Sequence, residues 1–360
     1  MLTITGTITS DLTKMNGRQK VTIKDVARAA GVSTQTVSRV INNRPDVSSE
    51  TRKHVQNIIE NLGYAPNVIA RSLSRGRSNT LGVVGFGLEY FGSSEVLTGI
   101  ERKSSELGFS LTLSLLDKFE SSRVDQILNG LLARQVDGII WAVPGIDQLL
   151  EWLSGKFENV SVPAVFMNKF QSGSDVVVSM DNRLGGVLAT EHLLDQRYRR
   201  IGIITGPSNW WEAQQREAGW REVMQEAGFD DLEDLVVEGD WSAASGEIGL
   251  HNLLARSPYV EAVFASNDQM ALGALQAARR IGLSVPQDLG LVGFDDIPEA
   301  AYFYPSLTTV RQDLRTLGAL AVERMCDLIQ ARQQEEKSVP GLSWVRPRLV
   351  VRRSSINSSG

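Results

Sequence analysis

The stretch VSTQTVSRVIN, Val32 to Asn42, decides how the first part of this chain is read. Val37, Val40 and Ile41 keep helical spacing and give a stripe to bury. Thr34, Gln35, Thr36, Ser38, Arg39 and Asn42 fall on the opposite side, with a single charge among them. Ser33 suits the N-cap of that helix. Upstream, Thr22 and Asp25 have capping-box spacing with aspartate in place of glutamate. Ile23, Val26, Ala27 and Ala30 then recur at i, i+3, i+4 and i+7, and Gly31 permits a tight turn. Downstream, NNRPD (42–46) reads as a loop. Ser48 or Ser49 opens a third helix with Val55, Ile58, Ile59 and Leu62 inward, and Gly63 closes it.

Helix, glycine turn and polar-faced helix are the layout of a helix-turn-helix, whose second helix enters the DNA major groove. That role accounts for the hydrogen-bonding surface. Arginine offers a two-pronged donor to guanine O6 and N7, and glutamine can pair with adenine N6 and N7. Short hydroxyl side chains reach phosphates.

Charge follows the same division. Residues 20–77 hold ten Lys and Arg against four Asp and Glu, whereas residues 78–360 hold 25 against 37. A basic head on an acidic body suggests that only the head meets a polyanion. The single cysteine, Cys326, excludes an internal disulfide framework and fits a reducing, cytoplasmic setting. His54, His192 and His251 are too scattered for a histidine-rich metal site, so no metal and no cofactor is expected. No apolar run approaches the ~20 residues of a membrane helix. The opening MLTITGTITSDLTK lacks a basic start and an apolar core, so it does not read as a secretory signal. Because Met15 begins MNGRQKVTIKDV, residues 1–20 are taken as a disordered or mis-assigned extension.

The organisation expected along the chain is a head over 21–65, a hinge helix or linker over 66–79, and a body over 80–355. Pro66 suits a first helical turn, but a helix ending near Arg75 is too short to be stable alone. In the body, LGVVGF (81–86), LTLSLL (111–116), GIIWAV (138–143), PAVFMN (163–168), VVVSMD (176–181), IGIITG (201–206), AVFASN (262–267) and LGLVGF (289–294) alternate with helical stretches such as 182–196 and 268–281. That alternation argues for parallel sheets flanked by helices. At about 280 residues the body reads as two doubly wound α/β lobes with a cleft between them. The first lobe is expected over 80–180 plus 314–339, and the second over 181–311 plus 340–355. Ligands of such sheets bind at strand carboxyl ends.

The segment VTIKDVARAAGVSTQTVSRVINNRPDVSSETRKHVQNIIENLGYAPNVIARSLSRG (21–76) closely resembles the head of the lactose/galactose-repressor family of transcription regulators. The likeness continues through SNTLGVV (78–84), GPSNWWEAQQREAGW (206–220), GDWSAASG (239–246), SNDQMALGAL (266–275), LVGFDDIP (291–298), SLTTVRQD (306–313) and RPRLVVRRSS (346–355), and so covers nearly all of 20–355. The resemblance implies Thr34, Gln35 and Arg39 as base readers. It implies Thr22, Ser33, Thr36, Ser38 and Asn42 as backbone or positioning contacts. Leu73, among Arg71, Arg75 and Arg77, would be a minor-groove wedge of the hinge helix. Thr34 stands where one family member has tyrosine, so no operator sequence carries over. One head reads half a site, which implies a homodimer on a near-palindromic operator. The ending RPRLVVRRSSINSSG has no trailing leucine heptads, so a tetramer is not expected.

The family's body resembles periplasmic sugar-binding proteins, which implies a small carbohydrate effector, with a galactoside as one candidate. By position, Trp241, Asn267 and Asp295 would contact it, with Tyr90 and Ser94 in YFGSS (90–94), and Gln312 and Leu314 at a later crossover. Gln214 and Asn168 depart from an arginine and an aspartate of relatives, while Arg216 matches an arginine common in the family. Fewer charges favour a neutral ligand. Trp210 and Trp211 add aromatic surface, or pack in the core against the helix that follows. A non-sugar effector such as a nucleobase is the alternative. A sugar-acting enzyme with a DNA-binding head is the rival of another class, but there is no G-x-S-x-G, H-E-x-x-H or P-loop, and GVVGFG (82–87) is not G-x-G-x-x-G.

Overall fold

The computed structural model describes residues 21–64, 77–116, 121–147, 149, 153, 156–168, 176–336 and 340–357. The helix expected from Pro66 and its wedge Leu73 lie outside the described residues, as does the extension 1–20.

The chain divides into two compact units at Ser78/Asn79. The first contains α1 (Ile23–Ala30), α2 (Thr34–Ile41) and α3 (Ser49–Leu62). Asp25 accepts from the Thr22 backbone N–H (3.0 Å) and hydroxyl (2.6 Å), which holds the start of α1. Gly31 ends it at φ +64°, a left-handed conformation that glycine adopts without a Cβ penalty. Ser33 caps α2 by accepting from Thr36 N–H (3.0 Å), and Ser48 caps α3 by accepting from Thr51 N–H (3.2 Å). Val26, Ala27, Ala30, Val37, Val40 and Val55 form the core of this unit, with Ile58 and Ile59 packed against it. Leu62, expected inward, is 38% exposed. Ile59 in the same turn and Tyr64 just beyond it do pack on that core, so Leu62 falls on the outer face of the last turn of α3.

The second unit has two six-stranded sheets. The first lobe is built from β1 (Thr80–Phe86), α4 (Phe91–Glu106), β2 (Ser110–Leu116), α5 (Ser121–Ala133), β3 (Gly138–Ala142), β4 (Ala164–Met167) and β5 (Val176–Met180). The chain then enters the second lobe through α6 (Asn182–Asp195), β6 (Ile201–Thr205), α7 (Trp211–Glu226), β7 (Val236–Glu238), α8 (Ala243–Arg256), β8 (Ala262–Ala265), α9 (Asp268–Arg280), β9 (Gly290–Asp295) and β10 (Thr308–Arg311). α10 (Leu314–Gln333), β11 (Gly341–Val345) and β12 (Arg348–Val350) complete the chain. All eight strands expected from apolar runs are present.

The first sheet has the order β11-β5-β4-β3-β1-β2 and is parallel throughout. The second has the order β12-β10-β9-β8-β6-β7, with only β12 antiparallel. The buried runs of β3, β5, β6, β8 and β9 are covered on both faces, as parallel strands require. α10 belongs to the first lobe, where Leu317, Ala321, Val322 and Met325 pack on Ile140, Val165 and Val178. One lobe boundary differs from expectation. The return to the second lobe was placed at 340, but Gly341–Val345 pairs in parallel with Val176–Met180, so the crossing falls between Val345 and Arg348. β11 is an edge strand with Leu342 and Trp344 half-exposed, so it lacks the apolar run that marks the inner strands.

Candidate effector cleft and nucleic-acid interface

On α2, Thr34, Gln35 and Arg39 are exposed while Val37 and Val40 are buried, so those three side chains face away from the core of the head. Several expected backbone contacts are already engaged. Ser33 and Thr36 share a hydrogen bond (2.9 Å), Asn42 Nδ2 donates to Ser38 Oγ (3.3 Å), and Thr22 holds Asp25. These bonds stiffen the helix start and end, which positions the exposed side chains. Hydrogen bonds from Thr22 also hold the Asp25 carboxyl below its ordinary pKa. Arg39 Nε lies 3.4 Å from Asp46 Oδ2, a residue the sequence did not single out. Arg52 braces the same loop by donating to Asn43 Oδ1 (2.7 Å) and to the Arg44 carbonyl.

In the body, the carboxyl ends of the two sheets face a cleft of about 430 Å³. Of the residues expected there, Tyr90, Asn168, Arg216, Trp241, Asn267, Asp295, Gln312 and Leu314 line it. Ser94 and Gln214 do not. Ser94 Oγ turns back to the Tyr90 carbonyl (3.0 Å) inside α4. Gln214 Nε2 donates to Asp147 Oδ2 (3.0 Å) and the Ser208 carbonyl (2.9 Å). Glu89, Asn182, Glu212, Asp240 and Gln269 also line the cleft and were missed by sequence reading.

Three lining residues, Asn168, Trp241 and Asp295, have φ of +73°, +74° and +112°. None is glycine, so each carries backbone strain that the surrounding fold must hold, of order 1–3 kcal/mol apiece. Trp241 is pressed against Gly206, where any Cβ would stand 2.1 Å from its Cζ2. Its ring meets Trp210 edge-on at 5.7 Å, and Trp210 in turn meets Tyr90 (5.6 Å) and Phe86 (5.8 Å). Trp210 therefore does both things sequence reading offered for it: it lines the cleft and packs against the cores of both lobes. Trp211 is not among the lining residues.

Arg216 is buried to 6% exposure. Its guanidinium is anchored through Nε and Nη1 and stacked on a ring. Nε donates to Asn182 Oδ1 (2.9 Å), Nη1 donates to the Ser266 carbonyl, Cζ sits 3.8 Å from the centre of the Phe294 ring, and Asp295 Oδ1 is 3.9 Å away. Asp295 Oδ1 also accepts from Gln312 Nε2 at 2.6 Å. Burial pushes the Asp295 carboxyl up to about 6, against the pull of Arg216 and Gln312. Burial likewise raises Glu212 and Asp268. Asp268 lies behind the cleft, where it accepts from Ile297 N–H (2.8 Å) and the Thr309 hydroxyl (2.6 Å). Asn267 is committed to structure at both ends of its amide. It donates to the Trp241 carbonyl (2.9 Å) and accepts from Met270 N–H (2.8 Å) as the cap of α9. Among the described residues no group of His, Cys, Asp and Glu is placed to hold a metal ion, and no helix is long and apolar enough to cross a membrane.

A three-helix head of this kind followed by two parallel-sheet lobes around a polar cleft defines a DNA-binding regulator with an effector-binding body. Comparison with known proteins makes that specific. Residues 22–67 match the model for bacterial regulatory proteins of the lacI family, and residues 190–355 match a periplasmic binding protein-like domain. The HTH-type transcriptional repressor PurR of Edwardsiella ictaluri (strain 93-146) is 36% identical over 337 residues, 92% of this chain and 96% of that protein. PurR of Escherichia coli O1:K1 / APEC is 34% identical over 336 residues, again 92% and 96%. Among solved structures, the lac repressor dimer bound to operator and the anti-inducer ONPF is similar with a TM-score of 0.84 at 32% identity, covering 94% of this chain and 100% of that one. The complex of the transcriptional regulator CelR with cellobiose is similar with a TM-score of 0.69 at 32% identity, covering 93% and 99%. The chain belongs to the lacI family of bacterial regulatory proteins. It is a DNA-binding repressor with an effector-binding domain, in a family of repressors rather than enzymes.

Proposed function

We propose that this repressor binds a near-palindromic operator as a homodimer and that an uncharged ring compound, rich in hydrogen-bond donors, sets its operator affinity from the cleft. The observation that carries the effector's chemistry is the charge of the lining. Four carboxyl groups, those of Glu89, Glu212, Asp240 and Asp295, face it against one arginine. That arginine, Arg216, is already occupied by Asn182, Ser266 and Asp295. A phosphorylated or carboxylated effector would meet that like charge, with Arg216 the one cation among the described lining residues. A neutral ligand offering N–H or O–H groups finds acceptors, with an aromatic wall of Trp210, Trp241 and Tyr90 for its face.

Two ligand classes have that chemistry. The curated relatives described above are all named PurR, and that places a nucleobase first in the order of testing. The saccharide reading has its own support in the two cleft-lining indoles, Trp210 and Trp241, suited to the C–H face of a sugar, and in the cellobiose held by CelR. On the DNA side, Thr34, Gln35 and Arg39 read bases, and Thr22, Ser33, Thr36, Ser38 and Asn42 set the frame on the backbone. Leu73 as a minor-groove wedge remains a proposal from sequence. The homodimer rests on the operator-bound dimer of the lac repressor.

The test is calorimetry of the full chain against hypoxanthine, guanine, cellobiose, lactose and a phosphorylated sugar, with and without operator. Binding of a base or a neutral sugar that alters operator affinity is the expected result, and it also chooses between the two classes. Tight binding of the phosphorylated sugar would overturn the neutral-ligand reading.

A further inference from the structure

The loop after α2 doubles back on the helix it leaves. Arg44 N–H donates to the Arg39 carbonyl (3.0 Å) and Asn43 N–H donates to the Val40 carbonyl (3.1 Å), with Asn43 left-handed at φ +52°. This pair of bonds is a Schellman closure, with asparagine in the position that glycine more often takes. From the other side, Arg52 of α3 donates to Asn43 Oδ1 (2.7 Å) and to the Arg44 carbonyl. Pro45 fixes its own φ. Val47 packs on the core of the head, and Ser48 caps α3 through Thr51 N–H (3.2 Å). Asp46 thus sits on a backbone that is held both before and after it. Its Oδ2 lies 3.4 Å from Arg39 Nε, and both side chains are about half exposed.

Residues 20–77 hold four acids, Asp25, Asp46, Glu50 and Glu60. Asp25 closes the cap of α1 with Thr22. Glu50 lies in the first turn of α3, where the helix dipole favours it, and Glu60 is exposed near the end of that helix. Among the described residues, only Asp46 forms an ion pair with a residue of the base-reading set. A carboxylate there lowers affinity for any DNA, because it repels phosphate and offsets the charge of the arginine. What it supplies is direction. A guanidinium can meet guanine O6 and N7 end-on through its two Nη groups, or side-on through Nε and one Nη, and it meets a phosphate equally well. With Nε turned to Asp46, the side-on edge is covered. Neither Nη of Arg39 has a hydrogen-bond partner among the described residues, so both remain for the end-on fork.

We propose that Asp46 is a specificity-determining residue of the head: it directs the Arg39 fork end-on at one guanine and weakens its hold on phosphate. The proposal rests on Arg39 being a base reader, as argued above, and adds the group that positions it. Asp46 itself touches no DNA in this role. On the operator the pair persists, because guanine takes both Nη groups and leaves Nε to the acid. On unrelated DNA no guanine stands at that place, and Arg39 must leave Asp46 to reach a phosphate squarely. The acid therefore weakens binding to unrelated DNA more than binding to operator. It also limits the rotamers that Arg39 would otherwise lose on docking.

The test uses the full-length protein, an operator that the wild type selects from a random duplex pool, and an unrelated duplex of equal length. Binding of wild type, Asp46→Asn, Arg39→Ala and the double variant is measured on the operator, on its single-base variants and on the unrelated duplex, at two salt concentrations. Thermal melting checks that each variant is folded. Asp46→Asn should tighten binding to unrelated DNA and cut the operator-to-unrelated ratio by about three- to tenfold. Its preference should relax at the same base pair that Arg39→Ala relaxes, and the double variant should relax that pair no further than Arg39→Ala alone. The salt dependence of unrelated binding should steepen by about one phosphate contact as Arg39 is released. Equal tightening on both duplexes, with the ratio unchanged, would overturn the proposal. Relaxation at a different base pair would overturn it too, and would make Asp46 a reader in its own right, accepting from cytosine N4. Arg39→Ala decides the underlying reading by itself. Relaxed preference in Arg39→Ala beside an unchanged ratio in Asp46→Asn sinks the proposal and leaves that reading standing, whereas uniform weakening by Arg39→Ala sinks both.

Discussion

Asp295 and Gln312 meet at 2.6 Å, Oδ1 to Nε2, where the chain leaves the second lobe for the first. The bond links the end of β9 to the crossover before α10, beside Arg216. Burial holds Asp295 up to about 6. The sign of its effect follows. A raised folded-state pKa means that ionisation is disfavoured in the native protein, so this group's contribution to stability improves as pH falls through about 6 and levels off below the unfolded value. Asp295→Asn should flatten the dependence of thermal stability on pH between about 4 and 6. An effector that donates to the ionised carboxyl should bind progressively worse below about pH 6, by up to about tenfold per pH unit, and this dependence should vanish in the Asn variant. Effector affinity that stays level from pH 7.5 to 5 would show that the ligand does not engage Asp295.

Trp241 owes its position to Gly206, which leaves no room for a side chain. Gly206→Ala must push the indole away from its place, at a cost of roughly 1–3 kcal/mol. The expected phenotype is a lower melting temperature with loss of effector response and retained operator binding. Retained response would mean that the indole face is not the stacking surface. Trp241→Ala should give the same functional result without the overpacking.

The pair Arg39–Asp46 makes a separate prediction for DNA. Both partners are about half exposed, so the bond contributes little to stability and can be exchanged. Arg39→Ala should cost roughly 1–3 kcal/mol at the operator and relax preference at one base pair. Asp46→Asn should release Arg39 and remove a negative charge near the phosphates, which strengthens binding to unrelated DNA more than to operator. A gel-shift series across single-base operator variants distinguishes these outcomes, and uniform weakening by Arg39→Ala would make it a phosphate contact.

Much of this was legible in the sequence because it depends on local spacing. The stripe Val37, Val40 and Ile41, the caps Ser33 and Ser48, and eight apolar strands are each set within a few residues. What was not legible depends on partners far along the chain. β10 reads as polar because Thr308 and Thr309 are buried with their hydroxyls satisfied, the latter by Asp268 at 41 positions' distance. β7, β11 and β12 lie at sheet edges and need no apolar run. Glu212 carries no spacing signal, since Gly145, whose N–H its carboxyl accepts, lies 67 residues away. The resemblance placed Gln214 and Ser94 near the site, but their side chains turn to Asp147 and to the Tyr90 carbonyl.

The last prediction concerns reciprocity. If the cleft ligand sets operator affinity, operator must change ligand affinity by the same factor, because both are legs of one thermodynamic cycle. A coupling of about 1–3 kcal/mol is typical of such regulators, or roughly 5- to 150-fold. Calorimetry of the bound effector with and without operator, set against operator titrations with and without effector, should return one factor from both directions. A factor of one in the wild type, with tight binding of both ligands, would separate the two activities and leave the effector without a regulatory role.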